Sequence, residues 1–367
     1  MLKKIFFVFT LFILLLMHSF AEFNANITFI KGEAFLKDSK SFTGKIIKTK
    51  KGSIVIVVLN NEEEIRCGEN TQIYLQKDKI KILSGKVWVK KIKSANELTF
   101  EVLKKKLKVS YGNFNINADK GAIEVYNGTG VIFDDKKNII LDKNKKYEGY
   151  SVKELENEED DDWIKWNLKR DKIDIVVTFD FNNKNANEIS EIIKKVFMEK
   201  YIFSNIIILD SKMQLPECDI ILNCDFELNS KNVKINSKLK NAINEKILTI
   251  FEIEQNDLNN GLFLLLSQVA NYLETEYFKN IIINGKDIII EVNNINSEEA
   301  EIFKKYVINI PEIKNVKIDE FYGQKAVFHI LYPGIGDDIV EYFKDKKIKE
   351  KHINIWKYSK NIVKLNL

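Results

Sequence analysis

Between Ile27 and Tyr150 the chain does not run far before a turn interrupts it. Apolar, β-branched or alternating segments occupy Ile27 to Ile30, Ile46 to Ile47, Ile54 to Leu59, Gln72 to Leu75, Ile80 to Leu83, Lys86 to Val89, Leu98 to Val102, Leu107 to Val109, Phe114 to Ile116, Ala122 to Val125, Gly130 to Phe133 and Ile139 to Leu141. Lys51-Gly52, Asn60-Asn61, Asp119-Lys120-Gly121, Tyr126-Asn127-Gly128 and Asp134-Asp135 separate them. Many short strands at close, regular spacing predict an all-β sandwich or roll, and residues 22–150 are read as that domain.

After Tyr150 the pattern changes. Residues 151–171 are read as an acidic linker followed by a short Trp-containing helix. Glu158-Glu159-Asp160-Asp161-Asp162 are five consecutive acids without a glycine, which predicts a solvated linker or helix start and not the turning loop of a Ca²⁺ site. A helix capped by Asp162 and running to Arg170 sets Trp163, Trp166 and Arg170 along one side. These three are the candidate residues for contact with a partner or ligand; the competing reading has the tryptophans lock the linker onto the β domain.

Residues 172–278 then alternate in period: a strand at Ile173 to Phe179, a helix at Ala186 to Tyr201 and a strand at Ile206 to Leu209. Three antiparallel strands follow at Asp219 to Leu228, Asn232 to Leu239 and Lys246 to Glu254, and then a helix from an Asp257 cap to about Glu276. Residues 279–367 are read as a ferredoxin-like α+β domain. Its predicted elements are a strand (Asp287 to Val292), a helix (Ser297 to Ile308), strands Val316 to Phe321 and Ala326 to Tyr332, a helix (Gly336 to Phe343) and a strand (Ile353 to Tyr358). Ile362 to Leu367 is expected to add an edge strand.

Within the first domain Gly32, Gly52-Ser53, Asn70-Thr71 ahead of Ile73, Leu83-Ser84-Gly85-Lys86-Val87 and Asn127-Gly128 form a recurrent glycine punctuation, and Trp163 to Asp171 supplies a Trp-x-x-Trp-Asn-x-x-Arg-Asp ending. In these residues the segment resembles a FecR-like domain, although Tyr111-Gly112-Asn113-Phe114 keeps the family's Gly and Phe without its Thr. The resemblance implies a module that binds or signals and does no chemistry. A sensor of that family carries a cytoplasmic arm and a membrane helix ahead of the domain, so direct contact with a cytoplasmic sigma factor is not the expectation here. The β-α-β-β-β-β-α order of the middle domain is similar to the α/β domain of the TolB amino-terminal and CsgG-like group.

The amino terminus predicts export. Lys3 and Lys4 precede the apolar stretch Ile5 to Met17, and Ser19-Phe20-Ala21 fits signal-peptidase cleavage, so residues 1–21 are read as a signal peptide and Glu22 as the mature start. The uncharged stretch between Lys4 and Glu22 is short of the roughly 20 apolar residues of a spanning helix. The competing reading is an uncleaved anchor. A periplasmic or envelope location follows. With 57 Lys+Arg and 53 Asp+Glu the net charge is +4, or +2 once Lys3 and Lys4 are removed, which does not argue for nucleic acid or an anionic membrane.

Cys67, Cys218 and Cys224 are an odd number in an exported chain. On one strand Cys218 and Cys224 stand about 20 Å apart at 3.3 Å per residue, beyond disulfide reach. Their parity with Ile220, Leu222, Phe226 and Leu228 makes both core residues on one face. No catalytic constellation is found: only His329 and His352 remain in the mature chain, and His329 alternates with Val327 and Leu331 as a sheet residue. No Cys-x-x-Cys pair, His-Glu-x-x-His helix or phosphate loop occurs, and Tyr332-Pro333-Gly334-Ile335-Gly336 reads as a turn capping a helix. No catalytic, cofactor-binding or metal residues are therefore assigned. The expected function is a non-catalytic envelope protein whose β domain binds a ligand, a cell-wall glycan or a partner protein while the other domains mediate assembly. A membrane-anchored regulator and a glycan hydrolase are the alternatives, the latter requiring two facing carboxylates.

Overall fold

The computed structural model describes residues 25–38, 44–60, 63–76, 79–93, 96–133, 137–155, 161–180, 185–228 and 232–367. The expected signal peptide and the first three acids of the Glu158–Asp162 run lie outside them. The chain divides into two compact units, residues 1–157 and 158–367. Among the described residues no helix is long and apolar enough to cross a membrane.

The first unit is a single rolled sheet. Its strands are β1 (Ala25–Lys31), β2 (Ala34–Asp38), β3 (Lys45–Thr49), β4 (Ile54–Leu59), β5 (Glu63–Cys67), β6 (Gln72–Leu75), β7 (Ile80–Ser84), β8 (Lys86–Lys91) and β9 (Leu98–Val102), the long pair β10 (Lys105–Asn117) and β11 (Ala122–Phe133), and then β12 (Asn138–Asp142), β13 (Lys145–Glu148) and β14 (Ser151–Glu154). The main path is β1-β4-β5-β8-β10-β9-β7-β6-β3-β2, with β11 to β14 continuing from β10. The two ends of the path, β1 and β2, are joined directly through Gly32 and Glu33, so the sheet nearly closes into a barrel at that corner. This selects the roll over the sandwich.

Alternation drives the closure. Val55, Val57, Leu59, Ile65, Cys67, Val87, Val89, Phe100, Val109, Phe114, Ile116 and Val125 all turn to one interior. β10 spans both halves: Gly112–Asn117 pairs with β8 and Lys105–Val109 with β9. It bends between them where Gly112 lies opposite Gly128 across the β10–β11 ladder. Both have positive φ, +117° and +88°, and a Cβ on either would stand 2.0 Å from the partner strand's carbonyl oxygen at Asn127 or Tyr111. β5 is not among the strands expected from the sequence. It forms because Ile65 and Cys67 face the interior while Glu64 and Arg66 pair with each other on the opposite face.

The second unit begins with α1 (Asp162–Asp171), whose cap is Asp161, one residue before the expected Asp162. β15 (Ile173–Phe179), α2 (Ala186–Met198), β16 (Phe203–Asp210), β17 (Ile220–Leu228), β18 (Val233–Asn241) and β19 (Ile247–Gln255) follow, then α3 (Leu258–Tyr272), a π turn and α4 (Phe278–Asn284). The strand order is β16-β15-β17-β18-β19, parallel on either side of β15 and antiparallel beyond β17. α2 and α3 cover one face, where Ile189, Ile193, Phe197, Leu262, Leu265 and Val269 meet Ile175, Val177, Leu222 and Ile235. Cys224 belongs to this core, but Cys218 packs with Val176 and Ile221 in a separate cluster, because it precedes the strand and escapes its alternation. All three cysteines are buried free thiols.

The third sheet holds β20 (Lys286–Asn293), β21 (Asn315–Tyr322), β22 (Lys325–Tyr332), β25 (Asn354–Tyr358) and β26 (Ile362–Asn366); α5 (Ser297–Ile308), the short α6 (Gly336–Ile339) and the small ribbon β23 (Lys347–Ile348) and β24 (Lys351–His352) lie among them in sequence. The order is β21-β22-β20-β26-β25. Here the ferredoxin-like expectation is corrected: β26 lies beside β20, parallel to it, and β25 is the edge strand. Val363 and Leu365 are fully buried, whereas Trp356 and Tyr358 are more than half exposed, so burial of β26 outweighs the split βαβ pattern. Phe303 of α5 packs on Phe328 and Phe343, covering one face of this sheet.

Candidate functional site

Alternation leaves the other face of the third sheet open. On β20 Ile288, Ile290 and Val292 point to the helices, so Asp287, Ile289 and Glu291 point away; Val327, His329 and Leu331 of β22 join them. With Asn315, Lys317, Asp319 and Glu320 of β21 and the β18–β19 turn (Ile243, Asn244, Glu245) as a wall, they line a groove of about 680 Å³. Asn241 Nδ2 donates to Asp287 Oδ2 at 2.9 Å and holds that wall in place.

The charges of the groove are arranged as two cross-strand triads. Lys364 of β26 is directly opposite Glu291, and Lys325 lies diagonally from it on β22; both ammonium groups are 3.1 Å from Glu291 Oε2. Burial alone would raise the Glu291 pKa, but the bonds from Lys325 and Lys364 outweigh it and hold the carboxyl below its ordinary value. Asp319, on a bulge of β21, pairs with Lys317 and lies 3.6 Å from His329 Nε2; the Lys317 hydrogen bond and then His329 hold it low as well. Lys364 also stands 5.8 Å from the centre of the exposed Trp356 ring. Opposite charges at period 2 on strands that become neighbours were the available signal for this groove, and only the strand order made it readable.

A second constellation lies where the two sheets of this unit meet. Asp219, 3% exposed at the entrance to β17, accepts from Asn361 Nδ2 at 2.8 Å and faces Lys360 Nζ at 2.6 Å and Lys286 Nζ at 3.7 Å. Lys360 reaches Asp174 on β15 as well, at 2.7 Å. Burial would raise Asp219, but Lys286 and Lys360 overcome it and keep the carboxyl ionised. This is a fastening between sheets, closed to solvent.

The residues singled out in the sequence take up different positions. Trp163 and Trp166 are half-buried and stack with ring centres 6.1 Å apart. Trp166 Nε1 donates to both oxygens of Asp338, at 3.0 and 3.2 Å, and Lys169 pairs with Asp337 at 2.6 Å, so α1 is pinned to α6. Asp338 in turn accepts from the Ile335 N–H, which makes the Tyr332–Gly336 segment the expected helix cap. Arg170 is 3% exposed and is an interior residue. Trp166 thus fastens α1 to α6 within the second unit. His329 is a half-buried sheet residue and His352 is exposed on β24. Among the described residues no group of three His, Cys, Asp or Glu side chains is placed to hold a metal.

No family model and no curated protein matches the chain. Among solved structures, it is similar to two from Parabacteroides distasonis, each described as that of an anti-sigma factor. One shows 12% identity over 36% of this chain and 77% of that one with a TM-score of 0.30; the other shows 13% over 47% and 91% with a TM-score of 0.24. A dodecameric PelC from Paraburkholderia phytofirmans is similar at 12% identity over 30% of this chain and 88% of its own, with a TM-score of 0.18. Likeness of this degree transfers no function.

Proposed function

We propose that this chain is an exported, non-catalytic envelope protein in which the rolled β unit binds a ligand, a cell-wall glycan or a partner protein, and the second unit serves assembly through its open sheet face. The observation that carries the reading is the state of the groove's carboxylates. A general acid needs a raised pKa and an unengaged proton. Glu291 and Asp319 are instead bonded to lysines that hold them ionised, an arrangement suited to recognition by charge and shape.

The test combines two measurements on the full chain produced with its own amino terminus. Mass analysis is expected to find cleavage after Ala21 and recovery from the extracytoplasmic soluble fraction. A photo-crosslinking residue placed at Asn315 is expected to capture one discrete partner in the envelope, with capture lost in Glu291→Lys, where three lysines would crowd one site. Retention of residues 1–21 would favour the anchored regulator. Hydrolysis of a wall glycan abolished by Glu291→Gln would replace binding with catalysis.

A further inference from the structure

The small net charge of the chain conceals a segregation. Residues 22–157 carry 26 Lys+Arg against 18 Asp+Glu, a net +8, whereas residues 158–367 carry 29 against 35, a net −6. The rolled unit is therefore a cationic body, and a charge of this size attracts anionic partners over distances of about 10 Å at 0.1 M salt.

Its excess has a focus at the corner where the roll closes. Phe35, Lys48, Lys50 and Lys51 line a cavity of about 740 Å³ beside Gly32 and Ser53, within the roughly 300–1,000 Å³ of small-ligand sites. Glu33 is engaged by Lys50, and the nearby Glu69 accepts from the Gly52 N–H at 2.8 Å. Among the described residues Lys48 and Lys51 have no carboxylate partner. Phe35 is 52% exposed, and the Lys50 ammonium stands over one face of its ring, 5.3 Å from the centre, so a half-exposed aromatic ring is presented among cations. Aromatic face plus unpaired lysines is the pairing that suits a sugar ring bearing an anionic group: the ring's C–H face stacks while sulfate, phosphate or carboxylate meets the ammonium groups.

Building on the reading of the rolled unit as a binding module, we infer that this corner binds an anionic glycan polymer, with Phe35 as the stacking platform and Lys48 and Lys51 as the anion contacts. Repeated anionic groups on one chain also engage the wider positive field of the unit, which a single small anion does not.

The experiment measures binding of the full mature chain to dextran sulfate and to neutral dextran across a salt series. Dextran sulfate is expected to bind with an affinity that falls linearly with salt on logarithmic axes, and neutral dextran not to bind. Lys48→Glu with Lys51→Glu should weaken binding at least tenfold. The matched reversal of two exposed lysines elsewhere on the roll, Lys106 and Lys153, should cost less than threefold. Phe35→Ala should weaken binding about fivefold with the salt slope unchanged. Equal losses in the two reversal pairs would reduce the effect to net charge and overturn the site. Equal binding of anionic phospholipid vesicles with the same Phe35 dependence would assign the corner to a lipid surface and overturn the glycan. Glu291→Lys should leave dextran sulfate binding intact, so loss of the groove's partner and loss of this site are read separately.

Discussion

Replacing Asp219 by alanine is the sharpest test of how the second unit is held together. The substitution removes the carboxylate that Lys286, Lys360 and Asn361 all address. Lys360 keeps Asp174 at 2.7 Å. Among the described residues, Lys286 has no second carboxylate within ion-pair distance, and its side chain is only 3% exposed. Stranding one partner of a buried pair costs about 3–5 kcal/mol, far above the value of an exposed pair. For a unit of this length each kcal/mol lowers Tm by roughly 2–4 °C, so the loss should be on the order of 10 °C. Three of the four tryptophans, Trp163, Trp166 and Trp356, lie in this unit, so fluorescence-detected melting reports on it. Adding Lys286→Met should restore at least half of the loss, because it removes the stranded charge at similar volume. The pH dependence has a definite sign. Asp219 titrates lower in the folded chain than in the unfolded one, so its stabilisation is complete above the ordinary Asp pKa of about 3.9 and fades as pH falls through the lower folded value. The Tm gap between native and variant should therefore be flat from neutral pH to about 4 and shrink below. A loss under 3 °C, or a gap that widens on acidification, refutes the reasoning.

Three further outcomes are expected. Gly112→Ala and Gly128→Ala should each cost the rolled unit at least ~2 kcal/mol by denaturant titration, since each Cβ meets a carbonyl oxygen at 2.0 Å; Gly52→Ala, also at positive φ but with no atom within 4 Å, should cost ~1 kcal/mol or less. Burial pushes the Cys67, Cys218 and Cys224 thiols up to about 12, so at pH 8 none should be alkylated in the native chain within minutes, and all three should react once it is unfolded, as read by intact mass. Trp166→Phe should lower the Tm of the second unit by a few degrees through loss of the bonds to Asp338, as read by thermal melting.

The parts of the fold that a linear reading recovers are those where one physical signal acts alone. β4 and β15 are rich in β-branched residues, and they form where expected. Asp257 caps α3 as its sequence context indicates. The reading fails where a second partner decides. In the Glu63–Cys67 strand Glu64 and Arg66 pair with each other, a fact of register and not of composition. β25 and β26 exchange their expected places because the chain must choose which apolar row to bury, and Val363 and Leu365 outcompete a strand bearing Trp356, Lys357 and Tyr358. The groove and the Asp219 cluster are both assembled from residues far apart in the chain, as Glu291 with Lys364 and Asp219 with Lys360 illustrate, and single-strand polarity carries no trace of such partners. Trp166 was conspicuous for its type, yet its role followed from Asp338, 172 residues away.

The position of β10 has a consequence for how the first unit comes into being. It is the strand between β8 and β9, so every pairing on one side of it (β1, β4, β5, β8) and every pairing on the other (β9, β7, β6, β3, β2) belongs to a separate half-sheet until β10 is laid down. A chain that emerges from its amino end has made all nine of those strands before Lys105 appears. Each half would then present a bare edge, at β8 and at β9, with half of its apolar face uncovered. The roll is therefore expected to assemble as one cooperative event governed by a single late strand, with no stable intermediate fragment ending before Asn117.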